Sequence, residues 1–338
     1  MNTQTTSFQT VLDALLGTGK DFPRRYLQHF SDMAPIELQT LLDVWPRVNT
    51  TRKLSLLEGL KKLAESDTLV SFDDFARAVL NDPEALVRIH AIRLLGECED
   101  VKLIPTYIDM LKNDADANVR AEVAGALNLF VDLGELEEIS EELYREVEDA
   151  LLESAASEDA KRIRLHALES LGYSSRAEVV TLIDSAFHRE DPEWKASALT
   201  AMGRSADTRW DDAILSMLVS ENETVRKAAV QSAGMLSLKS ARLILLRMLA
   251  EGEEDDEITA AAIWSLSQIG GEDVRTFLEA LLDQVEEEDD EQIAFLEEAM
   301  DNLAFTEDLD RFELMAFDPD DLEDLSEVDE DEVEAEDE

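Results

Sequence analysis

An all-α solenoid of stacked helical hairpins is the fold this sequence predicts, and three observations point there. Hydrophobic residues make up 45% of the 338 residues, aromatics only 6%, with 12 Gly and 7 Pro, a balance that favours helices. One decapeptide recurs along the chain. The copies stand about one helix–turn–helix apart, which is the signature of a repeat array.

The clearest copy is Val87-Arg88-Ile89-His90-Ala91-Ile92-Arg93-Leu94-Leu95-Gly96. It returns from Val119, Ile163, Trp194 and Val225, and more weakly at Ile258–Ile269 and Ile293–Leu303. A basic anchor stands at Arg52, Arg88, Arg120, Arg164, Lys195 and Arg226. The first, fourth, fifth, eighth and ninth positions read as small or apolar, one face of a helix. Asp82-Pro83, Asp114, Asp159, Asp191-Pro192 and Asn222 precede the copies as N-caps or first-turn acids. Gly96, Gly172, Gly203 and Gly234 follow where C-caps or tight turns are expected. Partner helices are expected at 103–111, 178–187, 210–219, 240–249 and 274–282. A single such pair cannot bury its own apolar face, so the pairs must stack.

The pattern Val-Arg-x-x-Ala-x-x-x-Leu-Gly after Asp-Pro resembles the HEAT-like repeat, of the short type also found in phycobilisome lyases. The resemblance covers about residues 50–305, some seven units. It implies a stack of helical hairpins and leaves scaffold, adaptor and bilin-lyase roles open. HEAT-repeat hydroxylases bind iron through His-Glu pairs; His29, His90, His166 and His188 are followed by Phe30, Ala91, Ala167 and Arg189, so that activity is not expected.

Around this array the chain divides into three. Residues 1–50 fit the repeat poorly and read as a helical N-terminal cap, with helices around Phe8–Leu16, 23–30 and 36–45. Residues 51–305 form the solenoid. The long step between Arg120 and Arg164 is expected to hold a lengthened first helix and a longer loop. Residues 306–338 read as an acidic, largely disordered tail, with Leu309, Phe312, Leu314, Met315 and Phe317 as a cluster that closes the last repeat or docks a partner.

Charge is uneven. The net charge is −49, and residues 249–338 carry 2 basic and 37 acidic side chains. Such a chain repels phosphate backbones and anionic bilayers, so no nucleic-acid or membrane partner is expected. One cysteine, Cys98, rules out an internal disulfide; with no signal peptide or apolar span in view, a cytoplasmic location is expected.

No catalytic, cofactor or metal site is expected. His90 and His166 share a repeat position but stand two repeats apart, too far for one metal. Gly17-Thr18-Gly19-Lys20 has the wrong spacing for a phosphate loop. Acidic neighbours of Cys98 should raise its pKa. The Arg ladder should be structural, tying each repeat to the next.

The expected function is therefore non-enzymatic: a scaffold or adaptor gripping a protein or peptide on its concave face. The third and seventh positions of each second helix are expected to line that ridge: Ile89/Arg93, Ala121/Gly125, Leu165/Glu169, Ala196/Thr200, Lys227/Gln231 and Ala260/Trp264. Phe312 and Phe317 add candidates in the tail. The alternatives are an acidic chaperone or nucleic-acid mimic that binds a basic protein through the C-terminal quarter, and a bilin-lyase-type enzyme.

Overall fold

The computed structural model describes residues 7–253, 255–285 and 290–315, with side chains described as far as Leu309. Among these residues every regular element is a helix. The chain forms two compact units that divide between Ala206 and Asp207.

In the first unit, α1 (Phe8–Leu15), a 3-10 helix (Arg24–Phe30) and α2 (Pro35–Val44) precede α3 (Thr50–Ser66). Hairpins then follow as α4 (Asp73–Ala78) with α5 (Ala85–Leu94), and α6 (Leu103–Asn113) with α7 (Ala117–Ala126). After these come α8 (Asn128–Glu135), α9 (Glu141–Ala156) with α10 (Lys161–Ser170), and α11 (Ala177–Phe187) with α12 (Pro192–Arg204). The second unit pairs α13 (Asp211–Met217) with α14 (Glu223–Met235), α15 (Arg242–Glu251) with α16 (Asp256–Ile269), and α17 (Glu272–Leu282) with α18 (Asp290–Met315).

Within each unit the second helix of one hairpin packs on the second helix of the next: α3 on α5, α5 on α7, α7 on α10, α10 on α12, and separately α14 on α16 and α16 on α18. Val87, Val119, Ile163 and Trp194, the first positions of successive copies, are all buried. Side-chain caps start α12, α14 and α16, where Asp191 accepts the Glu193 N–H, Asn222 accepts Val225, and Asp255 accepts Glu257. Asp82, Asp114 and Asp159, expected as caps or first-turn acids, lie before their helices and pair with the preceding anchors instead. The N-terminal end is closed by aromatic packing, with Phe30 and Trp45 each 5.3 Å from the Phe75 ring centre.

The ladder of basic anchors is structural at Arg88, Arg120 and Arg226, whereas Arg164 donates back to the Ala155 carbonyl and lies over the Trp194 ring, and Lys161 takes Asp191 in its place. Arg88 forms a forked pair with Asp114 at 2.7 and 2.8 Å and donates back to the Asp82 carbonyl at 2.8 Å. Arg120 repeats this on Asp159 and the Asp114 carbonyl, and Arg226 on Glu253 and the Ser220 carbonyl. Each guanidinium therefore ties its own loop to the loop of the following hairpin.

Several expectations are corrected. At the first anchor it is Lys53, not Arg52, that takes the ladder position, 2.6 Å from Asp82; Arg52 instead donates to the Asp21 carbonyl and sits against Gly17 and Gly19. Of the four glycines expected as caps, none is left-handed. A Cβ on Gly172 would lie 2.7 Å from Ala201 Cα, and one on Gly234 would lie 2.8 Å from Ser265 Cα, so both serve close helix packing. Left-handed residues end helices at Glu137, Ala206, Ser237 and Gly252 instead. The long step holds an added helix, α8, beside the lengthened α9, where a loop was expected. Residues 23–30 wind as a 3-10 helix rather than an α-helix. Helix α18 continues to Met315, past the expected end of the array at 305. Cys98 is buried and its thiol is pushed up chiefly by that burial rather than by charge.

Candidate partner-binding surface

The ridge of second helices differs from the sequence expectation by one position. Ile89, Ala121 and Ala196, third positions expected to be open, are 6%, 0% and 9% exposed. The physical reason is lateral packing. With second helices stacked side by side, the third position points at the neighbouring helix. Over α5, α7 and α10 the open ridge is formed by the fourth and seventh positions, one turn apart on the same face; in α12 the fourth position, Ser197, is buried as well.

In the first unit that ridge is a string of polar pairs. His90 stands 3.9 Å from Glu58 of α3, and burial holds its imidazole below the ordinary value. Arg93 reaches across to Glu122 of α7 through two bonds of 2.8 Å. His166 Nδ1 lies 3.5 Å from Glu169 one turn on, and Arg162 donates to His166 Nε2 at 3.4 Å. Glu169 also accepts from the Ser197 hydroxyl of α12, and Arg204 donates to the Glu169 carbonyl at 2.8 Å.

Between α5, α7 and α10 these side chains frame a groove of 430 Å³. Its floor is Ala121, Gly125 and Ala126. Arg93 and Glu122 stand on one side, Arg162, His166 and Arg204 on the other. A Cβ on Gly125 would meet only His166 Nδ1, at 3.6 Å, an ordinary contact. The groove therefore exists because a side chain is missing there. Both carboxylates on its wall, Glu122 and Glu169, are already engaged, while Arg162 keeps unused donors.

The structure thus brings Arg93 and Glu169 together, half-buries Leu165 beside them and buries Ile89. Lys227, Gln231 and Trp264 lie in the second unit. Lys227 is paired with Glu257 at 2.5 Å, Gln231 is exposed and Trp264 is half-buried. The side chain of Phe312 and all of Phe317 lie outside the described residues. Glu122, Arg162, His166 and Arg204 also line the groove and are not among the residues expected to bind a partner. The signal lies in the fourth positions, expected on the apolar face, which at His90, Glu122 and His166 are too polar for a core; only Ser197, of the first unit's four copies, is buried there.

A family model for HEAT repeats matches residues 74–172, 179–260 and 212–297, more than half of the sequence. The chain belongs to the HEAT-repeat family. Among curated proteins none matches the sequence significantly. Among solved structures, this HEAT-repeat chain is similar to YIBA of Escherichia coli, at 17% identity and a TM-score of 0.40 over 83% of this chain and 96% of that one. It is similar also to an engineered protein, at 14% identity, a TM-score of 0.38 and 88% of each chain. A third similar structure is Kap121p bound to Ste12p, at 13% identity and a TM-score of 0.37, over 88% of this chain and 37% of that one. No helix among the described residues is long and apolar enough to cross a membrane.

Proposed function

We propose that this protein is a non-enzymatic scaffold or adaptor that grips a protein or peptide along the second-helix ridge of its first unit. The observation that carries the reading is the groove over Gly125. A small-residue floor gives a segment of backbone room to lie close, and the ridge above it offers donors from Arg162 beside carboxylates already held in place. Stacked helical repeats use such extended surfaces for binding. Within the second unit, Lys227, Gln231 and Trp264 are candidates for a contact of their own, with Trp264 as an anchor.

A photocrosslinking amino acid at Arg162 in the full chain, exposed to lysate of the source, tests this. The expected result is a discrete crosslinked protein, lost when Gly125→Leu fills the floor and absent when the probe sits at Glu146 on α9. Equal labelling from positions 162 and 146, or labelling indifferent to Gly125→Leu, would overturn it.

The concentration of acidic residues after 249 favours a second reading, in which a basic protein binds the C-terminal quarter. Removal of residues 318–338 together with high salt separates the two, since screening weakens contacts between exposed charges far more than a packed groove.

A further inference from the structure

The first helices of the second unit leave an apolar gap that the helical packing does not fill. Helix α13 spans only Asp211–Met217, and the turn after it leaves Val219 74% exposed. Between α13 and α15 lies a groove of 740 Å³ floored by Leu215, Leu218, Val219, Ile244 and Met248. Its rim carries Glu221, Glu223, Glu251 and Glu253. Arg226 is held by Glu253 and the Ser220 carbonyl, and Arg247 is the other cation of the lining. Glu221, Glu223 and Glu251 have no cation within ion-pair distance among the described residues. At one end the rim runs into the sequence Glu251-Gly252-Glu253-Glu254-Asp255-Asp256-Glu257.

An apolar floor inside an acidic rim selects a ligand of the opposite pattern. We propose that this groove docks a basic amphipathic helix of a partner protein, with its apolar stripe on the floor and its Lys and Arg side chains on the rim carboxylates Glu221, Glu223 and Glu251. The ten residues of α15 form a wall roughly 15 Å long. That is enough for anchors at i, i+3, i+4 and i+7 of a docked helix. A second copy of this chain is the poorer occupant, because its net charge of −49 would meet the same acidic rim. The site lies in the other unit from the Gly125 groove and does not depend on it.

The test is fluorescence anisotropy of the full chain with a labelled Lys/Leu amphipathic helical peptide and a scrambled peptide of the same composition, at physiological salt. Glu221→Lys with Glu251→Lys should weaken binding by about tenfold or more. Val219→Ser should weaken it measurably, and the scrambled peptide should bind about tenfold less tightly. The same charge change placed at Glu138 and Glu146 in the first unit should cost about twofold or less. All four substituted carboxylates are exposed, and circular dichroism confirms the fold of each variant. Equal losses in both double variants, equal affinity for the scrambled peptide, or no peptide binding would overturn the proposal. So would self-association abolished by Val219→Ser, which would assign the groove to a second copy. Gly125→Leu should leave the peptide affinity unchanged, so this site and the ridge fail or succeed separately.

Discussion

At the scale of single residues, burial decides what the arginines are worth. The Arg88 and Asp114 side chains are 14% and 8% exposed, whereas Arg93 is 47% exposed in its pair with Glu122. Arg88→Leu strands a buried carboxylate and should destabilise the protein by about 3 kcal/mol. Arg93→Leu should cost about 1 kcal/mol or less. Chemical denaturation of the two variants checks the contrast, and comparable losses would refute the burial argument. Asp159 supplies a pH test. Its hydrogen bonds from Arg120 hold its carboxyl below the usual carboxylate value. A depressed carboxylate stabilises the fold above its unfolded pKa and loses that contribution as pH falls through the folded one. Asp159→Asn should therefore lower the melting temperature at pH 7, and the gap to wild type should close below about pH 4. A gap that persists at pH 2 would show that lost packing, not charge, is responsible. The anchors at Arg88, Arg120 and Arg226 were legible because Val-Arg recurs in register. The first was misread because Arg52 and Lys53 are adjacent and only the fold shows which one faces Asp82.

At the scale of helices, the close approach of α14 and α16 sets the cost of small changes. An alanine for a glycine inside an exposed helix stabilises by about 1 kcal/mol. Gly234→Ala should do the opposite, by about 1–3 kcal/mol, because the added Cβ would lie 2.8 Å from Ser265 Cα and something must shift. Thermal unfolding of this variant reads the sign directly, and a rise in melting temperature would mean the interface yields freely. Helix periodicity was legible because the apolar positions repeat without a break. The side-to-side packing of second helices was not. Periodicity finds the face turned to the core, yet Ala121 is equally small whether it faces solvent or the next helix. That is why periodicity alone puts the ridge on the third positions instead of the fourth. Helix α8 went unread for a related reason: its eight residues follow α7 with almost no break.

At the scale of the whole molecule, self-repulsion among 79 acidic against 30 basic side chains opposes compactness. The Debye length falls from about 30 Å at 0.01 M salt to about 10 Å at 0.1 M. The melting temperature should therefore rise between those two salt concentrations, followed by circular dichroism at pH 7. A flat response would mean that the paired acids, such as Asp114 and Asp159, dominate the electrostatics. Charge asymmetry was legible from composition. The division between Ala206 and Asp207 was not, since the repeat pattern runs across it from Trp194 to Val225 without a change of spacing.

The ladder of anchors also makes the chain editable. Arg88 and Arg120 hold the same bonds one hairpin apart, each to the carbonyl behind it and to the acid ahead of it. An in-frame excision of residues 89–120 would join Val87-Arg88 directly to Ala121-Glu122. It would present Arg88 to Asp159 with the Asp82 carbonyl still at its back. The splice would lose a whole hairpin and keep an intact joint. Duplicating the same stretch would lengthen the array on the same terms, so arrays of this kind can grow or shrink by unequal crossing-over without first passing through a broken fold.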